Sequence, residues 1–170
     1  MPTERPIIGI DPGVTGAVAI LRGDDLLLFD APVDAIRRGG KERRVLNPMR
    51  MASVLRVYAA GASVAYIEQV AAHAVHGRTQ GASSMFNFGR GYGLWLGILA
   101  ACDIPFVEVP ASVWKPPMVG RGADKAASRY RAAQLFPECS DEFDRVKDDG
   151  RAEAALIAWF GRHQETRRRP

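Results

Sequence analysis

The sequence contains no run near the ~18 consecutive apolar residues that a membrane-spanning helix needs, so no membrane role is expected. It has only two cysteines, Cys102 and Cys139, far apart and without CxxC spacing. That argues against a disulfide framework, and both read as buried or incidental thiols of a reducing compartment. Met1 to Pro6 is charged and lacks the apolar core and small-residue cleavage site of a secretory signal, so a cytoplasmic location is expected. Internal repeats and domain linkers are also missing. A length of 170 residues suits one compact domain, 1–170, with a basic loop at about 32–46 and a basic C-terminal tail at 164–170. Apolar residues make up 47% and charged residues 25%, which argues for a packed core and against disorder.

The net charge of +4 leans mildly toward polyanions, and its distribution says more than its total. Arg37, Arg38, Lys41, Arg43 and Arg44 crowd one polar stretch. Lys115, Arg121, Lys125, Arg129 and Arg131 form a second zone, and Arg167, Arg168 and Arg169 a third. Each alone reads equally well as solvated surface. Three such zones beside a carboxylate cluster point to nucleic acid, and the terminal arginines are expected to add non-specific affinity.

Hydrophobic patterning predicts strands over Pro6–Ile10, Thr15–Leu21 and Asp25–Asp30, with tight turns at Asp11-Pro12-Gly13 and Gly23-Asp24. Pro32 to Val45 reads as a polar, basic loop or lid. Asn47 and Pro48 cap a helix to about Tyr58. A strand follows over Ala62–Glu68, then a helix over Ser83–Ala101 and a strand over Ile104–Val109. A short helix over Ala111–Trp114 precedes Pro116 and Pro117, and two further helices cover Asp124–Phe136 and Lys147–His163. In the Ser83–Ala101 helix, Met85, Phe88, Tyr92, Trp95, Leu96 and Leu99 share one side. The order predicts an α/β fold: a five-stranded mixed sheet, its first three strands antiparallel, flanked by helices.

Four acids stand out. Asp11 ends the first strand and Glu68 the fourth, while Asp149 and Glu153 lie four apart on one face of the last helix. Strand ends form the rim where loops and sites gather. Oxygen-only donors select hard cations such as Mg²⁺ or Mn²⁺, and clustered carboxylates need such a charge for neutrality. Each acid also has a plain structural reading. Asp11 suits an Asx turn, Glu68 a surface strand end, and Asp149 the positive end of a helix dipole.

Six segments follow in order: GIDPGVTGAVAI (Gly9 to Ile20), YIEQV (Tyr66 to Val70), GASSMFNFGRGYGLWLG (Gly81 to Gly97), VPASVWK (Val109 to Lys115), GADK (Gly122 to Lys125) and DDGRAEAALIA (Asp148 to Ala158). Together they resemble the RuvC-type Holliday junction resolvases, particularly the shorter phage-type members, over Ile7 to His163. The resemblance implies an RNase H-like fold, a homodimer, two divalent ions (Mg²⁺ or Mn²⁺) per active site, and cleavage of branched DNA, four-way junctions above all, leaving 5′-phosphate ends. A phage-borne member would act in the cytoplasm of its bacterial host. The family's metal-binding acids fall on Asp11, Glu68, Asp149 and Glu153. Cellular members space the last two site residues three apart. Gly150 stands there here, so Asp149 is taken, with Asp148 the alternative. The family's basic residues near the scissile strand correspond to Lys115 and Lys125, and Arg121, Arg129 and the Arg37–Arg44 cluster are further expected DNA contacts. Where cellular members carry an aromatic shortly after the glutamate, this chain has Ala71 and Ala72. Phe86 and Phe88 are read as helix-core packing, with a substitute wedge the alternative role. The helix over Ser83–Ala101 is the expected dimer surface. His73, His76 and His163 are read as polar surface rather than ligands.

Three rivals stand beside this reading. GIDPGVTG also resembles the phosphate hairpin of sugar-kinase and actin-like ATPases, but those close a second such domain over nucleotide and no second glycine-rich hairpin exists here. An inactive DNA-binding protein is another, against which stand the four acids. The third is an RNase H-like nuclease preferring flaps, forks or RNA–DNA hybrid, since cutting machinery is more legible than substrate.

Overall fold

The computed structural model describes residues 5–70 and 81–168, and within them all side chains but those of Arg38, Ala82, Ser83 and Lys125. Its centre is a five-stranded sheet in the order β3-β2-β1-β6-β7. Strands β1 (Ile7–Asp11), β2 (Ala17–Arg22) and β3 (Asp25–Asp30) form an antiparallel meander. Strands β6 (Val64–Glu68) and β7 (Phe106–Val109) add in parallel to β1. The expected mixed sheet, antiparallel through its first three strands and flanked by helices, is thus the sheet observed.

Alternation along β1 assigns the two faces. Ile8 and Ile10 are fully buried beneath α1 (Pro48–Tyr58) and α2 (Ala82–Ala101), with Met51, Leu55, Trp95 and Leu99. Ile7 faces the opposite way, toward α4 (Lys125–Leu135) and α5 (Asp149–Arg168), with Tyr66, Phe136, Leu156 and Phe160. Both faces of the sheet are covered, which is why its central strands are almost wholly apolar.

The closest approach is α5 on β1. A Cβ on Gly9 would lie 2.1 Å from the Ala154 carbonyl oxygen, and one on Gly150 only 2.4 Å from the Thr15 carbonyl oxygen. One on Gly161 would fall 2.4 Å from the Tyr66 ring. The helix backbone therefore rides directly on the sheet.

Several boundaries differ from expectation. The basic stretch after Pro32 is a hairpin, β4 (Val33–Arg38) and β5 (Lys41–Leu46), forming a separate two-stranded sheet rather than a loop. Gly39 and Gly40 have φ of 58° and 75°, the two positive values that a two-residue hairpin turn requires. The expected C-terminal tail is mostly helix, since α5 continues through Arg168. The helix α3 (Ala111–Val119) runs past Trp114 and through Pro116 and Pro117. Lacking N–H groups, the two prolines forfeit the two internal bonds they would have donated to the Ser112 and Val113 carbonyls. Asn47 caps α1 as expected, its side-chain oxygen accepting from the Arg50 N–H at 3.0 Å. In α2 the apolar stripe is buried only toward its C-terminal end. Trp95 and Leu99 are core, whereas Met85, Phe86 and Phe88 are exposed, so core packing is not the role of Phe86 or Phe88.

Gly150→Ala should drive a methyl into the turn between β1 and β2. Overpacking of this kind costs about 1–3 kcal/mol, a fall of very roughly 3–10 °C in a chain of this size. Thermal unfolding monitored by circular dichroism checks it, and an unchanged midpoint would mean that α5 does not sit this close.

Candidate active site

Strands β1, β6 and β7 run parallel, so their C-terminal ends meet at one rim, where ligands gather in sheets of this kind. Antiparallel pairing brings the start of β2 and the end of β3 to the same rim. Asp11, the last residue of β1, pairs with Ala17 across the turn. Its Oδ1 accepts from the Gly13 N–H at 3.2 Å, and Gly16 N–H donates to the Gly13 carbonyl at 2.9 Å. The Asx-turn role of Asp11 is therefore real, and it holds the carboxylate at the rim. Gly16 is required there, because a Cβ would fall 2.1 Å from the Asp11 carbonyl oxygen.

Glu68 ends β6 and is half-buried. The indole N–H of fully buried Trp114 donates to its Oε2 at 2.9 Å. Glu153 lies one turn into α5, and Lys115 Nζ donates to its Oε1 at 2.6 Å. Burial pushes the Glu68 carboxyl up to about 7, and the negative charges of Glu153 and Asp11 push the same way. The Trp114 hydrogen bond and the Lys115 charge act against the rise. Asp11, Glu68 and Glu153 thus form one electrostatic cluster, with Lys115 as a cation inside it.

The two adjacent aspartates face different partners. Asp149, first residue of α5, is ion-paired with Arg129 of α4. Asp148 is buried and held by Arg145. Arg145 Nε donates to its Oδ2 and Nη2 to its Oδ1, both at 2.9 Å, and the Arg145 backbone N–H reaches Oδ2 at 3.0 Å. This clamp holds the Asp148 carboxyl below its usual range and consumes both oxygens. Arg151, on the same stretch, grips Asp30 at the end of β3 at 2.6 and 3.0 Å and also pairs with Glu142. These contacts lock the start of α5 against the sheet rim.

Of the expected DNA contacts, Lys115 and Arg129 are bound to Glu153 and Asp149. Arg121 is exposed in the loop before α4, and Lys125 is the first residue of α4, with its side chain outside the described residues. Arg37, Lys41, Arg43 and Arg44 lie on the exposed hairpin, as does Arg38, whose side chain also lies outside the described residues. Ala71, Ala72, His73 and His76 lie outside the described residues, and the His163 Nδ1–H donates to the Trp159 carbonyl at 2.9 Å within α5. Trp114 went unassigned in the sequence. Its only signal was its place beside Lys115 in VPASVWK.

Among the described residues, no three acids already stand together as a metal cage. The donor chemistry nevertheless fits a hard divalent cation: oxygen donors alone, mutually repelling, one of them already pushed toward neutrality. Lys115 and Arg129 hold part of the charge such an ion would neutralise.

Burying Glu68 among like charges favours its protonated form in the folded protein. The resulting stability is present in full below the ordinary carboxyl value of 4.5 and is lost as pH rises through about 7. Without divalent ions, Glu68→Gln should therefore melt higher than the parent at pH 8, by up to about 3 kcal/mol. The gap should close as pH falls toward 4.5. Thermal melts across that range in EDTA measure it, and coincident midpoints at pH 8 would refute the cluster.

No family model and no curated relative matches the sequence. Among solved structures, the chain is similar to Thermus thermophilus RuvC in complex with a Holliday junction substrate, at 14% identity and a TM-score of 0.61, over 96% of this chain and 98% of that one. It is also similar to a second Thermus thermophilus RuvC structure at 16% identity and a TM-score of 0.59, over 95% and 97%. At this identity the fold is what is shared. The chain has the RuvC-like, RNase H-like fold over nearly its whole length.

Proposed function

We propose that the chain is a divalent-metal-dependent endonuclease that cuts branched DNA, four-way junctions in particular, as a phage-type RuvC-like resolvase would. The observation that carries this is the cluster of Asp11, Glu68 and Glu153 at one rim of a RuvC-like sheet, with Lys115 inside it. Asp11, Glu68, Asp149 and Glu153 are the residues that would hold two Mg²⁺ or Mn²⁺ ions. Bound there, such ions supply an activated water and charge relief on the departing 3′ oxygen, leaving a 5′-phosphate. Asp149 is preferred to Asp148, because both Asp148 oxygens are engaged by Arg145.

The chain's own groups do the rest. Trp114 orients Glu68 by its indole hydrogen bond. Lys115 and Arg129 are cations within hydrogen-bonding distance of the acids, placed to exchange a carboxylate partner for a DNA phosphate. Lys125 and Arg121 would take neighbouring phosphates. A homodimer would present two such rims to opposed strands of a junction. The exposed N-terminal half of α2, with Met85, Phe86 and Phe88, is the surface we assign to that contact.

The test is cleavage of a labelled four-way junction beside linear duplex, flap and RNA–DNA hybrid, with Mg²⁺ or Mn²⁺. Paired symmetric nicks are expected in the junction. Asp11→Asn and Glu153→Gln should each lower the rate at least about a hundredfold while leaving junction binding within a few-fold. Equal cutting of flap or hybrid would keep the chemistry and remove the junction preference. Unimpaired cleavage by Asp11→Asn would overturn the site.

A further inference from the structure

The hairpin β4–β5 is rooted at the same rim as the acids. Ala31 N–H donates to the Gly16 carbonyl at 2.9 Å, and Asn47 N–H closes the base onto the Pro32 carbonyl at 2.8 Å. Leu46 is buried against α2, where its Cδ1 would meet a Cβ on Gly91 at 2.9 Å. Beyond this root the strands are exposed and belong to no other sheet.

Residues opposed across an antiparallel ladder share a face. Val33 opposes Leu46, Ala35 opposes Arg44, and Arg37 opposes Glu42. That face therefore carries an acid between two arginines. Asp34 opposes Val45, Ile36 opposes Arg43, and Arg38 opposes Lys41. The only acid on this second face is Asp34, at the root. Asn47 donates to it at 2.7 Å, and Arg50 lies 3.7 Å from it. Lys41 and Arg43 have no acid opposite them in the ladder and, among the described residues, make no ion pair.

We propose that this second face is a phosphate-gripping arm that holds duplex DNA outside the cutting site, a proposal that deepens the branched-DNA reading above. Five residue steps of about 3.4 Å carry the chain from root to turn, a reach of ~17 Å. With one phosphate per ~3.4 Å of rise on each strand, the arm spans about five base pairs. Lys41 and Arg43, two residues apart on one strand, stand ~6.8 Å from each other, which is two base-pair steps of rise. The face offers Ile36 as its only apolar side chain toward the tip, too little for the desolvated core of a protein interface. An evenly spaced polyanion fits the face better than a protein does.

Binding of a fluorescent duplex and a four-way junction is measured by anisotropy in EDTA from 50 to 300 mM salt, so cleavage plays no part and failure of the nuclease reading is separately visible. K41A/R43A should weaken both DNAs by about tenfold or more near 0.1 M salt and reduce the salt slope by about 2, since each phosphate contact contributes ~0.9. R37A/R44A, removing equal charge from the opposite face, should do clearly less. Ile36→Lys adds a cation to the gripping face and should tighten binding and steepen the slope, a gain that misfolding cannot produce. Unchanged affinity and slope in K41A/R43A with no gain in Ile36→Lys, an equal loss in R37A/R44A, or no DNA binding by the parent protein would each overturn the proposal.

Discussion

The close approach of α5 to the central sheet is the constraint on which the rest depends. Helices usually stand off a sheet by the length of their side chains. Here Gly9 in β1, with Gly150 and Gly161 in α5, removes side chains at three levels, and Ala154 and Ala158 fill what remains. The helix backbone thereby comes within contact of β1 and of the turn after it. Glu153 projects from that helix at the depth of the strand ends, so it meets the charges of Glu68 and Asp11. A helix held off by one more methyl group would carry Glu153 away from them.

Such a cluster carries an electrostatic penalty, and the surrounding residues are arranged against it. Trp114 places an N–H on Glu68, Lys115 a cation on Glu153 and Arg129 a cation on Asp149. All three come from the chain segment after β7, in α3 and α4. One side of the cluster is thus acidic and drawn from the strands and α5, and the other supplies N–H donors and cations from α3 and α4. Asp148 and Asp30 also lie at this rim, but each is tied to an arginine, Arg145 and Arg151 respectively. The rim therefore sorts its acids. Asp148 and Asp30, held by Arg145 and Arg151, lock α5 in place, while Asp11, Glu68 and Glu153, whose charges act on one another, form the candidate site with Asp149 beside Arg129.

Much of this was legible along the chain. Continuous apolar runs ending in an acid and a turn mark β1 and β6 as central strands with Asp11 and Glu68 at their ends. Asn47-Pro48 marks the start of α1, because a side-chain oxygen before a proline suits a helix N-terminus and little else. The hairpin was equally available. Two glycines between VDAIRR and KERRVL signal a tight turn, but a run of arginines outweighed it and the stretch read as loop. The fault lies in treating charge as evidence against a strand, when an exposed ribbon with neither face buried has no need of apolar alternation.

By itself, the sequence determined the mixed sheet and most of the order of elements, and it placed Asp11 and Glu68 at strand ends, because these follow from local periodicity, capping and turn chemistry. It favoured Asp149 over Asp148 only by its spacing from Glu153, since neighbouring residues on a helix differ only by a rotation whose meaning depends on what lies beside each. Tertiary structure decided which partner each one faces. Arg145 takes both oxygens of Asp148, while Asp149 turns to Arg129. It also decided that Lys115 points into the acid cluster, that Trp114 touches Glu68, and that Phe86 and Phe88 leave the core. Each of these joins segments far apart in the chain, and no local pattern encodes a contact whose partner is chosen by how the helices close over the sheet.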